Sequence, residues 1–177
     1  AVTINVFGTE TLLELALAHG VDRFVNVSTD KAADPASVLG YTKRLAERLT
    51  AAAARRATGT FLSVRFGNVL HSRGSAMGVF EAQVRAGGPI TVTDPDVTRY
   101  FMTVEEAVQL IIQAGAIGRP GEALVLDMGE PVRIADIAAR MAARSDRPIE
   151  VVYTGLRPGE KLHEVLIGEE EHPSQSA

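Results

Sequence analysis

FVNVSTDKAADPASVLGYTK, the run from Phe24 to Lys43, decides how this chain folds. Phe24-Val25-Asn26-Val27 is rich in β-branched and aromatic residues and predicts a buried parallel strand. The run stops at Ser28-Thr29-Asp30-Lys31, where hydroxyls, a carboxylate and an ammonium crowd together at the strand's carboxyl end. In open α/β sheets that edge is where ligands bind. Asp34-Pro35 predicts an N-cap followed by proline at the first helical position. Lys43 lies four residues after Leu39, so the two share a helix face. A strand tip with an acid and a base, facing a helix with an inward lysine, suits proton transfer.

Working outward, Ile4, Phe7, Leu12, Leu15 and Ala16 predict a helix over Thr3–His19, with Gly20 at its C′ position. Leu45 and Leu49 continue the apolar side of the helix carrying Lys43, and Gly59 stops it. Phe61 to Phe66 predicts the next strand, ending at Gly67-Asn68. Two strands joined by a long helix form a βαβ unit, whose crossover is expected to be right-handed. A second helix begins at Ser75 (Met77, Phe80, Val84) and breaks at Gly87-Gly88-Pro89. Ile90 to Thr93 predicts a short strand and Asp94-Pro95-Asp96 a turn. Thr103 with Glu106 forms a capping box before a helix through Val108, Ile111 and Ile112. Strands over Ala123–Met128 and Ile149–Tyr153 bracket a helix over Ile134–Ala143. Arg157 to Lys161 is a charged turn before a short helix, and the acidic tail from Gly168 predicts a frayed end.

At 177 residues the chain suits one domain, or one and part of another, and its 46% hydrophobic content can fill a core. A net charge of -4 with no basic tract excludes a nucleic-acid partner. No apolar run approaches bilayer length. Cysteine is absent, which removes disulfide and thiolate chemistry and fits a reducing compartment. His19, His71, His163 and His172 are scattered without metal-site spacing. The reading is a soluble intracellular α/β chain.

NVFGT, STDKA, YTKRLAE, VRFGNVL, GGPITVT, TRYFMT, VLDMGEP and TGLRPGEK stand in that order along the chain. Together they resemble the extended short-chain dehydrogenase/reductases, and within them the CapD-like nucleotide-sugar 4,6-dehydratases of bacterial polysaccharide biosynthesis. The resemblance implies an α/β fold: part of an NAD(P)-binding Rossmann sheet without its first strands, and a smaller α/β substrate-binding part. Residues 1–88 would carry the Rossmann part with the catalytic strand and helix. Residues 89–177 would be mainly the sugar-nucleotide-binding part, interleaved with the sheet. The implied reaction oxidises C4 of a UDP-linked N-acetylglucosamine or similar sugar, eliminates water across C5 and C6, and leaves a 4-keto-6-deoxy sugar.

The resemblance also implies residue roles. Asp30 is the general acid for the departing C6 hydroxyl and Lys31 the base at C5, with Thr29 and Lys43 completing the catalytic set. Ser28, Lys43, Phe66 and Gly67 would bind the cofactor, with Lys43 on the nicotinamide ribose. Asn68, Arg99, Arg157 and Glu160 would bind the substrate, the arginines on phosphate and Glu160 on a ribose hydroxyl. No GxGxxG follows a strand, so the chain reads as the C-terminal portion of a longer enzyme. NAD or NADP would serve the whole enzyme and not be retained by this portion. An open sheet edge would favour pairing with another copy. The whole protein is expected in the cytoplasm, or anchored to the inner face of the membrane.

One position departs from the pattern: Leu39 stands where such folds usually carry tyrosine. Tyr41 is about 200° around the helix from Lys43 and points elsewhere. The C4 hydroxyl proton would then leave through Thr29 or a water. Two other readings share the fold: a nucleotide-sugar 4-epimerase, which needs no Asp30-Lys31 pair, and an inactive sugar-nucleotide-binding or assembly module.

Overall fold

The computed structural model describes residues 1–70, 72 and 74–174. The chain divides into two compact units. Ala1–Phe66, Glu105–Asp127 and Val165–Ala177 form the first, and Gly67–Val104 with Met128–Glu164 the second. The first division falls at Phe66/Gly67.

The first unit holds a three-stranded parallel sheet. β1 (Arg23–Val27) pairs with β2 (Thr60–Arg65), and β2 pairs with β7 (Ala123–Val125). Between β1 and β2 runs α2 (Val38–Ala54), the expected βαβ unit. β2 lies in the middle, and Phe61 through Arg65 are all buried. Among the described residues β1 pairs only with β2, and Val27 is 41% exposed, so β1 is half-covered where its composition predicts a buried strand.

α1 (Thr9–Ala18) follows a wide π-helical turn over Thr3–Gly8 and packs against α2. Its buried residues are Leu13 and Ala16, which meet Ala53, Ala54 and Phe61, with Phe24 stacked on Phe61 at 5.3 Å. Ile4, Phe7, Leu12 and Leu15 are exposed, a correction to the periodicity reading. The wide turn adds a residue and rotates the helix face downstream of it. α2 likewise buries small residues (Gly40, Thr42, Ala46, Ala53) rather than Leu45, which is exposed.

The second unit packs α3 (Ala76–Ala86) and α5 (Ile134–Ala143) around β4 (Ile90–Val92), which pairs in parallel with β9 (Val151–Tyr153). Phe80, Ile90, Val92, Val97, Ile134 and Ala138 form its core. Two short ladders complete it: β3 (Asn68–Val69) with β6 (Phe101–Met102), and β5 (Thr98–Arg99) with β8 (Val132–Arg133). α4 (Val104–Ile117) leads from this unit into the first. The short helix expected after Lys161 does not form among the described residues. Instead Thr98 N–H donates to the Leu162 carbonyl, and His163 bridges to Thr98, drawing the segment out along β5.

Candidate active site

Beyond β1 the chain keeps the line of the sheet, because Ser28 N–H donates to the Val64 carbonyl at 2.8 Å and Asp30 N–H to the Phe66 carbonyl at 3.1 Å. Thr29 then caps one turn of 3-10 helix over Asp30–Ala32, and Ser37 caps α2 by accepting from Gly40 N–H at 3.2 Å. The helix therefore starts at Val38, not at Pro35. A turn occupies the residues between, and Ser37 offers the first side-chain oxygen in capping position. A Cβ on Gly40 would sit 2.5 Å from the Lys31 carbonyl oxygen, so only glycine lets α2 approach the acid-bearing turn this closely.

Asp30 is fully buried. Its Oδ1 accepts from Thr29 Oγ1 at 2.8 Å, from Lys31 N–H at 2.8 Å and from Lys31 Nζ at 3.0 Å. Its Oδ2 is buried with no hydrogen-bond partner among the described residues. A buried carboxyl oxygen without a partner is costly unless a proton or a ligand donor meets it. Lys43 reaches the same strand end from α2, donating to the Val27 carbonyl at 3.0 Å. Thr29, Asp30, Lys31 and Lys43 are thus gathered at the tip of β1. Leu39 and Tyr41 are both exposed.

Ser28 faces away from that group. Its hydroxyl donates to Glu47 Oε1 at 2.5 Å, inside a buried cluster that the sequence reading did not single out. Arg65, 1% exposed, donates through Nε to Glu47 Oε1 at 2.8 Å and through Nη2 to Glu47 Oε2 at 2.6 Å. It also donates to Glu171 Oε2 at 2.6 Å and Oε1 at 2.8 Å, and Arg44 reaches both glutamates. Burial opposes charge on Arg65, yet its bonds to Glu47 and Glu171 hold it above the ordinary arginine value. Burial also works to raise Glu171, but bonds from Arg65, Gly168 N–H and Arg44 win and lower it to about 2. The signal was in the sequence: an arginine inside the apolar run FLSVRF must be paired if that run is a central strand. The tail is therefore tied down as far as Glu171, which corrects the frayed end predicted from Gly168.

In the second unit Gly67 backs onto Tyr100, and Asn68 N–H donates to the Tyr100 carbonyl at 2.9 Å. Arg99 is 9% exposed and its guanidinium is engaged internally: Nη1 with the Thr98 and Leu162 carbonyls, Nη2 with the Lys161 carbonyl and Glu160 Oε1. Glu160 also accepts from Thr93 Oγ1 at 3.0 Å and from Arg157 N–H at 3.2 Å. Arg99 thus braces the loop that carries Glu160, while Arg157 lies exposed on it. Among the described residues no helix is long and apolar enough to cross a membrane.

The chain matches the family described as polysaccharide biosynthesis protein over residues 1–177. It is 47% identical to the capsular polysaccharide biosynthesis protein CapD of Staphylococcus aureus, over 99% of this chain and 30% of that protein. It is 36% identical to UDP-glucose 4-epimerase of Rickettsia rickettsii, over 97% of this chain and 51% of that enzyme. Among solved structures, Pen from Bacillus thuringiensis superposes with a TM-score of 0.88 at 37% identity, covering 97% of this chain and 55% of that one. MoeE5 in complex with UDP-glucose and NAD shares the fold, with a TM-score of 0.78 at 22% identity over 94% of this chain and 62% of that one. The sheet is that of the Rossmann-type extended short-chain dehydrogenase/reductases. The chain spans about a third to a half of these curated relatives.

Proposed function

Because the chain belongs to the polysaccharide biosynthesis protein family, we propose that the whole protein is a nucleotide-sugar 4,6-dehydratase acting on UDP-N-acetylglucosamine or a close relative. The observation that carries this reading is the Asp30–Lys31 pair at the tip of β1, with Asp30 Oδ2 buried and without a hydrogen-bond partner among the described residues. Elimination across C5 and C6 needs a base at C5 and an acid at the C6 oxygen, and a C4 ketone acidifies the C5 proton. Lys31 as the neutral amine takes that proton onto Nζ, and Asp30 protonated on Oδ2 delivers one to the C6 hydroxyl, which leaves as water. Each such transfer contributes about 10²–10⁴-fold.

NAD or NADP, when bound, supplies reversible oxidation at C4. Lys43, held on the Val27 carbonyl at the end of β1, would hydrogen-bond the nicotinamide ribose. With Leu39 unable to take a proton, the C4 hydroxyl proton passes through Thr29 or a water: Thr29 accepts it while handing its own hydroxyl proton to the Asp30 carboxylate to which it is bonded. In the second unit we assign Arg157 to the diphosphate, Glu160 to the ribose and Asn68 to the same nucleotide. Arg99 serves by bracing Glu160.

The likeness to UDP-glucose 4-epimerase favours a second reading, epimerisation at C4 alone. Incubating the whole protein with UDP-N-acetylglucosamine and NAD in D₂O separates the two. A dehydratase gives a keto-deoxy product with solvent deuterium at C5. An epimerase gives the C4 epimer with no deuterium there.

A further inference from the structure

We propose that the segment from Val165 to Ser174 is a strap that positions the Thr29–Asp30–Lys31 turn, with Glu171 as its positioning residue, acting through Arg65, Glu47 and Ser28. Two independent contacts join the strap to the turn. The first is the polar chain: Glu171 holds Arg65, Arg65 holds both oxygens of Glu47, and Glu47 accepts from Ser28, the residue immediately before the turn. The second is steric. A Cβ on Gly168 would stand 2.3 Å from the Ala33 carbonyl oxygen, so strap backbone presses directly on the end of the turn. Gly168 N–H in turn donates to Glu171 Oε2 at 2.8 Å, which makes the two contacts one piece.

Charge makes the strap necessary. Arg44 and Arg65 face Glu47 and Glu171, two cations against two anions, and Arg65 is almost wholly out of water. Without Glu171 both arginines compete for Glu47, which is then drawn from Ser28. The carboxylate of Asp30 hangs on that same backbone, and small displacements at a reacting group cost rate steeply. The proposal rests on the dehydratase reading only where turnover is measured.

The test is amide hydrogen exchange on the whole protein. In Glu171→Gln, exchange at Ser28–Ala33 is expected to rise about tenfold, with β4 and β9 unchanged, while Glu171→Asp, which keeps the charge, stays within about twofold of the parent. Gly168→Ala is expected to raise exchange at Asp30–Asp34 alone, and decides the matter should Glu171→Gln not fold. In turnover counted per folded active site by single-turnover titration, Glu171→Gln lowers kcat about tenfold and moves KM less than about twofold. Exchange at Ser28–Ala33 unchanged in both variants, or raised equally in β4 and β9, overturns the proposal. Absence of dehydration by the unsubstituted protein counts against the reaction reading alone, since exchange needs no substrate.

Discussion

Arg65 is the residue on which the first unit most depends. Among the described residues its guanidinium is the only one that contacts both Glu47 and Glu171 while itself almost wholly buried. Arg65→Met leaves Glu47 buried without its main partner, and urea unfolding should register a loss of about 3–5 kcal/mol. Removing the charges together (Arg65→Met with Glu47→Gln and Glu171→Gln) should cost less than Arg65→Met alone, because no unpaired charge is left fully buried and Arg44, which loses both partners, is 24% exposed to water. At Thr29 the prediction concerns chemistry. Thr29→Val removes the hydroxyl on Asp30 Oδ1 and should slow C4 oxidation about a hundredfold, whereas Leu39→Tyr in that background should restore part of it.

At the scale of elements, α2 must approach the turn at Lys31, and Gly40 permits it. Gly40→Ala should destabilise by about 1–3 kcal/mol through overpacking, more than Ser37→Ala, whose lost cap costs about 1 kcal/mol. Thermal melts of the two variants would rank them. The same helix explains what the sequence could and could not convey. Its existence followed from length and spacing. Its start did not, because Asp34-Pro35 and Ser37 are both valid capping signals and only packing chooses between them. α1 was harder. Apolar spacing placed Ile4, Phe7, Leu12, Leu15 and Ala16 inward, while the structure buries Ala16 together with Leu13, since a wide turn rephases the helix. The strand tip was legible because Thr29, Asp30 and Lys31 are contiguous. The partners of Arg65 were not, since Glu47 lies 18 residues from it and Glu171 106, and they meet only through the fold.

For the molecule as a whole, acid stability follows from Glu171. Its carboxyl is lowered from 4.5 to about 2, so its contribution is complete above the unfolded value and is lost as pH falls toward 2. Urea midpoints of the parent should therefore decline across that window, and those of Glu171→Gln should decline less. On the dehydratase reading proposed above, Asp30 and Lys31 divide one elimination between them. The measurement that tests this most directly follows C5 deuterium exchange and keto-deoxy product together in D₂O, for the whole protein carrying Asp30→Asn or Lys31→Met. Asp30→Asn should retain exchange at C5 while product formation falls about a thousandfold, and Lys31→Met should lose both. Product formed at the parent's rate by either variant would contradict the account.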